Sequence, residues 1–320
     1  MTREGTAGRL PDFAVIGAAK SGTTALFHYL RQHPDVFLPP RQEPSFFAFE
    51  GHRLAFRGPS GGDIFDNRYF TDLSSYTALY RDARATQVGD VSPVYLYWPG
   101  TAARMKRHVP AMKVCVILRN PVDRAFSAFL HARREGQEPL ESFREAITAE
   151  SKRIDENWGL MWRYADMGFY SRGLREFFDV FTSTNILVLL YEDLAADAAD
   201  VCGRIAGFIG VHPGFSFDTR VSFNVSGIPR SRRWHRFITE SAAVKVLGRT
   251  ARPIVGERRL RNVQASLLTR NLDRPLLHPS DRRHLQMLFE DEIKELQDLT
   301  GRDLSSWLQE PSDREVSVAP

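Results

Sequence analysis

Residues 17–26 combine small residues with a lysine and several hydroxyls, directly after a short apolar run at 13–16. Small residues let backbone N–H groups curl around an oxyanion, and the first turn of a helix adds N–H donors and a positive dipole end. Lys20 supplies a mobile cation, and the residues that would join it at this corner are Ser21, Gly22, Thr23 and Thr24. The segment therefore predicts a strand, an anion-binding loop and a helix that hold a phosphate-bearing nucleotide.

The position of the lysine argues against an ATPase. In the Walker A pattern, G-x-x-x-x-G-K-[ST], the lysine follows the second glycine. Here Thr23 occupies that place, and Lys20 stands three residues earlier. ATPases also hold magnesium with an acidic residue at the end of another strand. The second apolar run, at 114–118, is instead followed by Arg119, which repels a metal ion and attracts a second phosphate. These residues predict a phosphate loop adapted to an anionic cofactor without a metal.

The chain resembles sulfotransferases that use 3′-phosphoadenosine 5′-phosphosulfate (PAPS), and most resembles the branch of the heparan-sulfate sulfotransferases and their bacterial relatives. The motifs that carry this resemblance are Lys20–Leu26, His33–Pro34, Glu43–Phe47, Gly89–Tyr95 and Leu118–Ser127, with weaker matches at Tyr191–Leu194 and Asn224–Ser231. The resemblance implies a P-loop-NTPase-like α/β fold and an enzyme that moves a sulfuryl group onto a hydroxyl or, less readily, an amine.

The resemblance also assigns roles to single residues. Lys20 would neutralise charge on the leaving phosphate, and residues 21–24 would hold the 5′-phosphate end of the cofactor. The residues implied for the 3′-phosphate are Arg119, Ser127, Arg230 and Ser231. The expected cofactor is therefore PAPS, with adenosine 3′,5′-bisphosphate (PAP) as its product, and the expected metal content is none.

Glu43 is the candidate general base, because the resembling enzymes place their catalytic glutamate in this motif. Phe46 and Phe47 would desolvate the carboxylate and raise its pKa toward the working pH. The lysine that usually precedes the glutamate is replaced by Gln42, and Arg41 beside it differs from lysine in geometry and acidity. Other sulfotransferases use a histidine, and the alternative bases are His28, His33 and His131.

The candidate acceptor contacts are Asp90, Phe46 and Phe47, although for Asp90 a structural role as a cap for the segment after it is favoured. Aromatic residues within 36–100 and 140–170 suit an apolar or sugar-stacking pocket. The expected partner is a small-molecule, glycan or lipid acceptor. Two other functions stay open from the sequence. One is a nucleotide-dependent kinase of the P-loop type, and the other is a non-catalytic nucleotide-binding protein.

Composition fits one large domain, since the chain has 320 residues, of which 42% are hydrophobic, and a net charge of +4. We expect a disordered lead at 1–10, a single domain at 11–310 and a loose tail at 311–320. The sequence has no leading basic-plus-apolar signal and no apolar run near 18 residues. Cys115 and Cys202 fit packed thiols rather than a disulfide, so we expect a cytoplasmic protein without a transmembrane segment.

Positive charge is concentrated in residues 220–275, which carry twelve Arg and one Lys against three acidic residues. We expect this segment to be partly mobile and its start, 227–233, to fold over the cofactor. The remainder would meet an acidic acceptor or a membrane surface, or simply carry solvated arginines. The segment shows no interleaved aromatic platform, so a nucleic-acid partner is not expected.

Hydrophobic patterning predicts a mostly parallel sheet with helices on both faces, because the strands alternate with helical stretches. The predicted strands are 13–16, 114–118 and 186–190. The predicted helices are 23–32, 122–134, 143–152, 172–181 and a final helix between an N-cap at Ser280 and Gly301. Since ligands bind beyond the carboxyl ends of such strands, the cradle and Arg119 are expected at the same edge.

Overall fold

Five parallel strands form the central sheet in the computed structural model. The structure describes residues 9–59, 68–220, 227–229, 272–273 and 275–309. The strands are β1 (Phe13–Val15), β2 (Val36–Phe37), β3 (Gln87–Val91), β4 (Lys113–Leu118) and β5 (Ile186–Leu190), in the order β2-β3-β1-β4-β5. All four pairings are parallel, and β1 lies at the centre with Phe13 opposite both Gly89 and Lys113.

Helices connect the strands and cover the sheet. The helices are α1 (Thr23–Leu30), α2 (Phe46–Phe49), α3 (Leu73–Ala78), α4 (Thr101–His108), α5 (Pro121–Arg134), α6 (Phe143–Thr148), α7 (Glu150–Asp155), α8 (Ser171–Val180), α9 (Tyr191–Ala196), α10 (Ala198–Phe208) and α11 (Pro279–Thr300). Short 3₁₀ helices lie at Pro93–Leu96, Leu160–Trp162, Asp166–Gly168, Ser183–Asn185 and Ser305–Leu308. A two-stranded antiparallel ladder pairs β6 (Ile228–Pro229) with β7 (Leu272–Asp273).

The sheet is buried on both faces, as expected for parallel strands between helical layers. Along β4, Val114 and Val116 pack into a hydrophobic cluster that also contains residues of α5, α8 and α11. The alternate residues, Cys115 and Ile117, pack into a second cluster with residues of α1 and α10. This alternation explains why the β4 sequence is continuously apolar, because each side of the strand faces a core. The α/β fold is P-loop-NTPase-like, as the sequence predicted.

The long predicted elements are confirmed, with small changes at their ends. The strand 186–190 has the predicted bounds, whereas β1 ends one residue early, at Val15. The helix predicted for 143–152 is instead two helices, α6 and α7, which meet at Ala149. The final helix begins two residues earlier than expected, at Pro279. His278 is its N-cap and accepts a hydrogen bond from the Ser280 N–H, so the assignment of Ser280 as the cap was wrong.

Two strands of the central sheet, β2 and β3, were not predicted, and neither were the two strands of the antiparallel ladder. β2 contains only two residues, and β3 carries Gly89 and Asp90 at its centre, which are both unfavourable in strands. The glycine in β3 has a packing reason, because a Cβ there would lie 2.2 Å from the Phe13 ring of β1. Close packing between adjacent strands therefore explains why a glycine, which is more typical of loops, stands in this strand.

The structure describes the last two residues of the predicted N-terminal lead and none of the predicted C-terminal tail. Arg9, inside the predicted lead, donates hydrogen bonds to the backbone carbonyls of Ala85 and Thr86. Residues 1–8 and the predicted tail at 311–320 lie outside the described residues, as does most of the basic segment. Within the part of the chain that the structure describes, no helix combines the length and apolar character needed to cross a bilayer. A cytoplasmic location stays a prediction.

Helix α8 makes a very close contact with the 3₁₀ helix that lies against the loop after β1. A Cβ on Gly173 would lie 1.8 Å from the backbone oxygen of Leu96. The Leu96 N–H in turn donates to the carbonyl of Ile16, at 2.8 Å. The absence of a side chain at Gly173 therefore lets α8 pack directly on the backbone that supports the loop.

Substitution Gly173→Ala should destabilise the protein by about 2–3 kcal/mol, because the new methyl group can be accommodated only by moving backbone. Thermal or urea unfolding measures the change. The matched control is Gly207→Ala in α10, where a Cβ would lie 3.6 Å from the Pro213 Cβ, an ordinary contact. The control should be neutral or stabilising by about 0.5–1 kcal/mol, as usual for a helical glycine. Equal stability of the two variants would contradict the packing argument.

Candidate active site

The loop between β1 and α1 has the shape of an anion cradle. Lys20 and Gly22 both have positive φ, 70° and 86°. Glycine is favoured at the second position, because another residue would be strained at this φ and its Cβ would lie 2.5 Å from Leu194 Cδ2. Ser21, between them, is fully buried, and α1 starts at Thr23. The chain thus turns sharply at the carboxyl end of β1, where the sequence predicted the cradle.

Several donors in this loop suit an anion. Gly22 is the N-cap of α1 and provides no capping side chain, so the helix N-terminus keeps its N–H donors available to a ligand. The hydroxyl oxygen of Ser21 has no hydrogen-bond partner among the described residues, although the side chain is fully buried. A buried hydroxyl without a partner is unfavourable unless a ligand or water completes it. Both observations fit a bound phosphate at this corner.

Arg119 follows β4 and meets the loop after β1. Its Nη1 donates a hydrogen bond to the backbone carbonyl of Lys20, at 2.9 Å. The guanidinium lies over the ring of Tyr191, 4.4 Å from its centre. The Arg119 carbonyl accepts a hydrogen bond from the Tyr170 hydroxyl, at 3.0 Å. The structure therefore brings together the two cations that the sequence placed at neighbouring strand ends.

Helix α5 carries further polar groups to the same edge. Ser127 is buried on this helix, with 5% of its surface exposed. Arg124, one turn earlier, is also buried and donates to the Tyr164 carbonyl, while its Nε has no partner among the described residues. Arg124 was not predicted as a site residue. Its three-residue spacing from Ser127 was the available signal, since that spacing places both on one helix face.

Arg230 and Ser231, predicted to close over the 3′-phosphate, lie outside the described residues. The preceding strand, β6, is described and lies beside α5. The backbone just before Arg230 is therefore close to the helix that carries Ser127.

Lys20 lies among positive charges. Burial lowers the pKa of its ammonium group to about 8, and the charge of Arg134 acts in the same direction. Arg119 and Arg124 lower the pKa further, whereas the carboxylate of Glu43 raises it. The side chain keeps partial solvent access. A half-buried cation with cationic neighbours favours the binding of an anion.

Glu43 is crowded by protein but open to solvent. Its side chain has exposed surface, while the surrounding protein displaces enough water from the carboxylate to raise its pKa. Lys20 and Arg68 oppose this rise because they favour the ionised form, and Asp90 adds to it. A solvent-accessible carboxylate with a raised pKa, close to Lys20, is suited to accept a proton from a bound acceptor.

The two residues that precede Glu43 contact other parts of the chain. Gln42 Nε2 lies 3.3 Å from His28 Nε2 on α1. Arg41 donates to the carbonyl of Arg68, at 2.7 Å, and lies over the ring of Phe70. Arg41 is thereby engaged with the segment that contains Arg68 and Phe70.

The three candidate acceptor contacts are buried. Asp90 has no exposed surface, and its carboxylate accepts hydrogen bonds from Ser92, Tyr76 and Tyr95. Phe46 and Phe47 are also fully buried and pack on Tyr76. Burial favours structural roles for all three, because none of them presents surface to an acceptor in this structure.

Two of the three candidate histidine bases are engaged elsewhere. His33 is buried, and its Nδ1 accepts from the Asp35 N–H while its Nε2 donates to the His212 carbonyl. His131 Nδ1 accepts from Arg134 at 2.8 Å, so in the neutral ring Nε2 carries the proton. Burial lowers the pKa of His131 to about 2, and Lys20 and Arg134 act in the same direction. Neither ring nitrogen of His131 is then suited to accept a proton.

The described residues contain no group of three His, Cys, Asp or Glu side chains placed to hold a metal ion. The charged groups gathered at the carboxyl ends of β1 and β4 are mainly cations. The arrangement is suited to bind a multiply charged anion and, through Glu43, to remove a proton from a neighbouring group.

Comparison with known proteins places the chain in a family. Residues 11–213 match the model described as the sulfotransferase family, which is more than half of the chain. The bifunctional heparan sulfate N-deacetylase/N-sulfotransferase 4 of Mus musculus is 25% identical over 318 residues, which are 97% of this chain and 32% of that protein. The corresponding enzyme 3 of Homo sapiens is 28% identical over 229 residues, 70% of this chain and 25% of that protein. The chain therefore spans less than a third of the length of these relatives.

A solved structure agrees over nearly the whole chain. The sulfotransferase from Alicyclobacillus acidocaldarius has 30% sequence identity and a TM-score of 0.72, and the match covers 94% of this chain and 100% of that one. The fold, the loop after β1 and the family match lead to one conclusion. The chain belongs to the sulfotransferase family.

Proposed function

We propose that this enzyme transfers a sulfuryl group from PAPS to a hydroxyl or, less readily, an amine of a small-molecule, glycan or lipid acceptor. The observation that carries the proposal is the meeting of Lys20 and Arg119 at the ends of adjacent strands, with Glu43 in electrostatic contact with Lys20. When bound, PAPS supplies an activated sulfuryl group on a phosphate leaving group.

The residues at the two strand ends fit the two phosphates of such a nucleotide. The buried hydroxyl of Ser21 and the N–H groups at the start of α1 suit the 5′-phosphate, and Lys20 would stabilise the charge that develops there. Arg119 and Ser127 suit the 3′-phosphate, and Arg230 and Ser231 are proposed to close over it.

Glu43 is the proposed base. Its raised pKa makes the carboxylate a better proton acceptor, and the charge of Lys20 favours its ionised form. His131 is disfavoured because Arg134 donates to its Nδ1. The acceptor class includes glycan amines, because the relatives described above are named as heparan sulfate N-sulfotransferases.

PAP should bind tightly without metal, and more tightly than ATP with magnesium, in calorimetric titration. Lys20→Ala should weaken PAP binding about 10–150-fold, the effect of losing a hydrogen bond to a charged group. Lys294→Ala is the matched control, since this lysine of α11 is half exposed and pairs with Glu290. A preference for ATP with magnesium would favour a kinase and overturn the proposal.

The affinity for PAP should depend on pH in a defined direction. Lys20 in the ligand-free protein has a pKa of about 8, and a bound phosphate favours the charged form. Affinity should therefore stay nearly constant from pH 7 to pH 8 and then fall with rising pH, by up to about tenfold per pH unit. Lys20→Arg stays charged throughout this range and should flatten the profile. A flat profile for the natural protein between pH 7 and 9.5 would contradict the role of Lys20.

Glu43→Gln should lower sulfuryl transfer about 10²–10⁴-fold, because the amide cannot accept the acceptor's proton. Transfer is measured with radiolabelled PAPS against a panel of glycans, phenols, lipids and amines. PAP affinity should change little. The control is Glu141→Gln, whose side chain is 91% exposed. Transfer at the natural rate by Glu43→Gln would remove Glu43 from the mechanism, and PAP binding without transfer to any acceptor would favour a non-catalytic nucleotide-binding protein.

A further inference from the structure

The turn that carries Glu43 has an unfavourable backbone conformation. Glu43 and Ser45 both have positive φ, 54° and 60°, and neither is a glycine or an asparagine. Each such residue costs about 1–3 kcal/mol and persists only where surrounding structure holds it. The turn therefore depends on contacts from outside its own sequence.

Those contacts come from the segment that follows β3. The Ser45 N–H donates to the hydroxyl oxygen of Ser92, at 3.0 Å, and the Phe47 N–H donates to that of Tyr95, at 3.4 Å. Ser45 Oγ also donates to the carbonyl of Glu43, at 3.1 Å. Two hydroxyl oxygens thus accept from the N-terminus of α2 and fix the turn directly before it.

Asp90 determines which way these two hydroxyls point. Its Oδ1 accepts from Ser92 and its Oδ2 accepts from Tyr95, both at 2.7 Å. A hydroxyl has a single proton, so one that donates to Asp90 presents only lone pairs elsewhere. Those lone pairs are what the N–H groups of Ser45 and Phe47 require. The buried carboxylate therefore orients both acceptors through one proton each.

Both carboxylate oxygens of Asp90 accept hydrogen bonds. Tyr76 also donates to Oδ2, at 2.7 Å, and the Tyr80 hydroxyl donates to that of Tyr76, at 3.3 Å. Burial and the negative charge of Asp90 raise the pKa values of Tyr76 and Tyr95 well above their usual range, so both tyrosines keep their protons. These hydrogen bonds compensate for a carboxylate that has no exposed surface.

We propose that Asp90 is a positioning residue for Glu43, which it holds in place through the hydroxyls of Ser92 and Tyr95 and the backbone of Ser45 and Phe47. Its catalytic consequence rests on the proposed function of Glu43 as the base. The replacement of its carboxylate by an amide reverses the polarity of one hydrogen bond, because an amide nitrogen donates where the carboxylate accepted. The affected hydroxyl then directs its proton toward a backbone N–H, and the turn loses its support.

The test compares Asp90→Asn and Tyr95→Phe with Tyr80→Phe as the matched control. Tyr80 is an equally buried tyrosine whose hydroxyl does not contact Asp90. The first measurement is amide hydrogen exchange at Ser45 and Phe47, which does not depend on any activity. The second is steady-state kinetics with PAPS and an acceptor found in the panel, together with PAP affinity.

In Asp90→Asn, the amides of Ser45 and Phe47 should exchange at least about ten times faster than in the natural protein. In Tyr95→Phe, the same increase is expected at the Phe47 amide. The kcat of Asp90→Asn should fall about 100-fold while KM for PAPS and PAP affinity change little, because the base and not the cradle is displaced. The control should keep the natural values in both measurements.

The outcomes distinguish failure of the positioning role of Asp90 from failure of the proposed function. Unchanged exchange at both amides in Asp90→Asn, or equal loss in the Tyr80→Phe control, would overturn the positioning role. Faster exchange with unchanged kcat would also overturn it, because the position of the turn would then not matter to transfer. If the natural protein binds no PAP, the proposed function fails, and the exchange data still decide whether Asp90 holds the turn. Should Asp90→Asn fail to fold, Ser92→Ala gives the same comparison at the Ser45 amide.

Discussion

The hydrogen bond from Arg119 to the carbonyl of Lys20 joins the ends of two adjacent strands at the point where the chemistry is proposed. It is possible because β1 and β4 pair in parallel, which places both carboxyl ends at one edge of the sheet. Arg119 contributes two functions with one side chain. One guanidinium nitrogen fixes the backbone of the loop after β1, and the cation as a whole attracts an anion. The spacing between the two predicted phosphate contacts is therefore set by the register of the sheet.

Much of this arrangement could be predicted from particular residues. The apolar run of β4 followed directly by Arg119, and the small residues around Lys20, place two anion contacts at strand ends without any knowledge of the fold. The strand that positions Asp90 could not be predicted in this way, because Gly89 and Asp90 lower the strand propensity of the segment. The turn at Glu43 was also hidden, since its positive φ arises from tertiary hydrogen bonds and not from its own sequence.

Buried carboxylates hold the backbone around the site in place, in addition to apolar packing. Glu150 accepts from the N–H groups of Ala165 and Asp166, at 2.7 and 2.8 Å. Glu292 of α11 accepts from both the N–H and the hydroxyl of Ser171, at the start of α8. Each of these carboxylates is buried and accepts hydrogen bonds from the backbone that it orders, and Glu292 also accepts from a hydroxyl. Asp90 differs in that its donors are the hydroxyls of Ser92, Tyr76 and Tyr95, two of which in turn accept from the backbone after Glu43. The partners of Glu150 and Glu292 are distant in sequence, so the role of these two carboxylates becomes clear only in the folded chain.

The charges around Lys20 are arranged to bind an anion already in the ligand-free protein. Among the charges that act most strongly on Lys20, that of Glu43 is negative, while three arginines repel it. Such a cluster costs stability in the ligand-free protein, and folding has to hold it against that repulsion. An incoming phosphate reverses the balance because it attracts every one of these cations at once. The donors are already placed by the sheet and by α5, so little reorganisation is needed when charge develops on a leaving phosphate. Burial is the main reason for the lowered pKa of Lys20, and the arginine charges that add to it would also stabilise the departing anion.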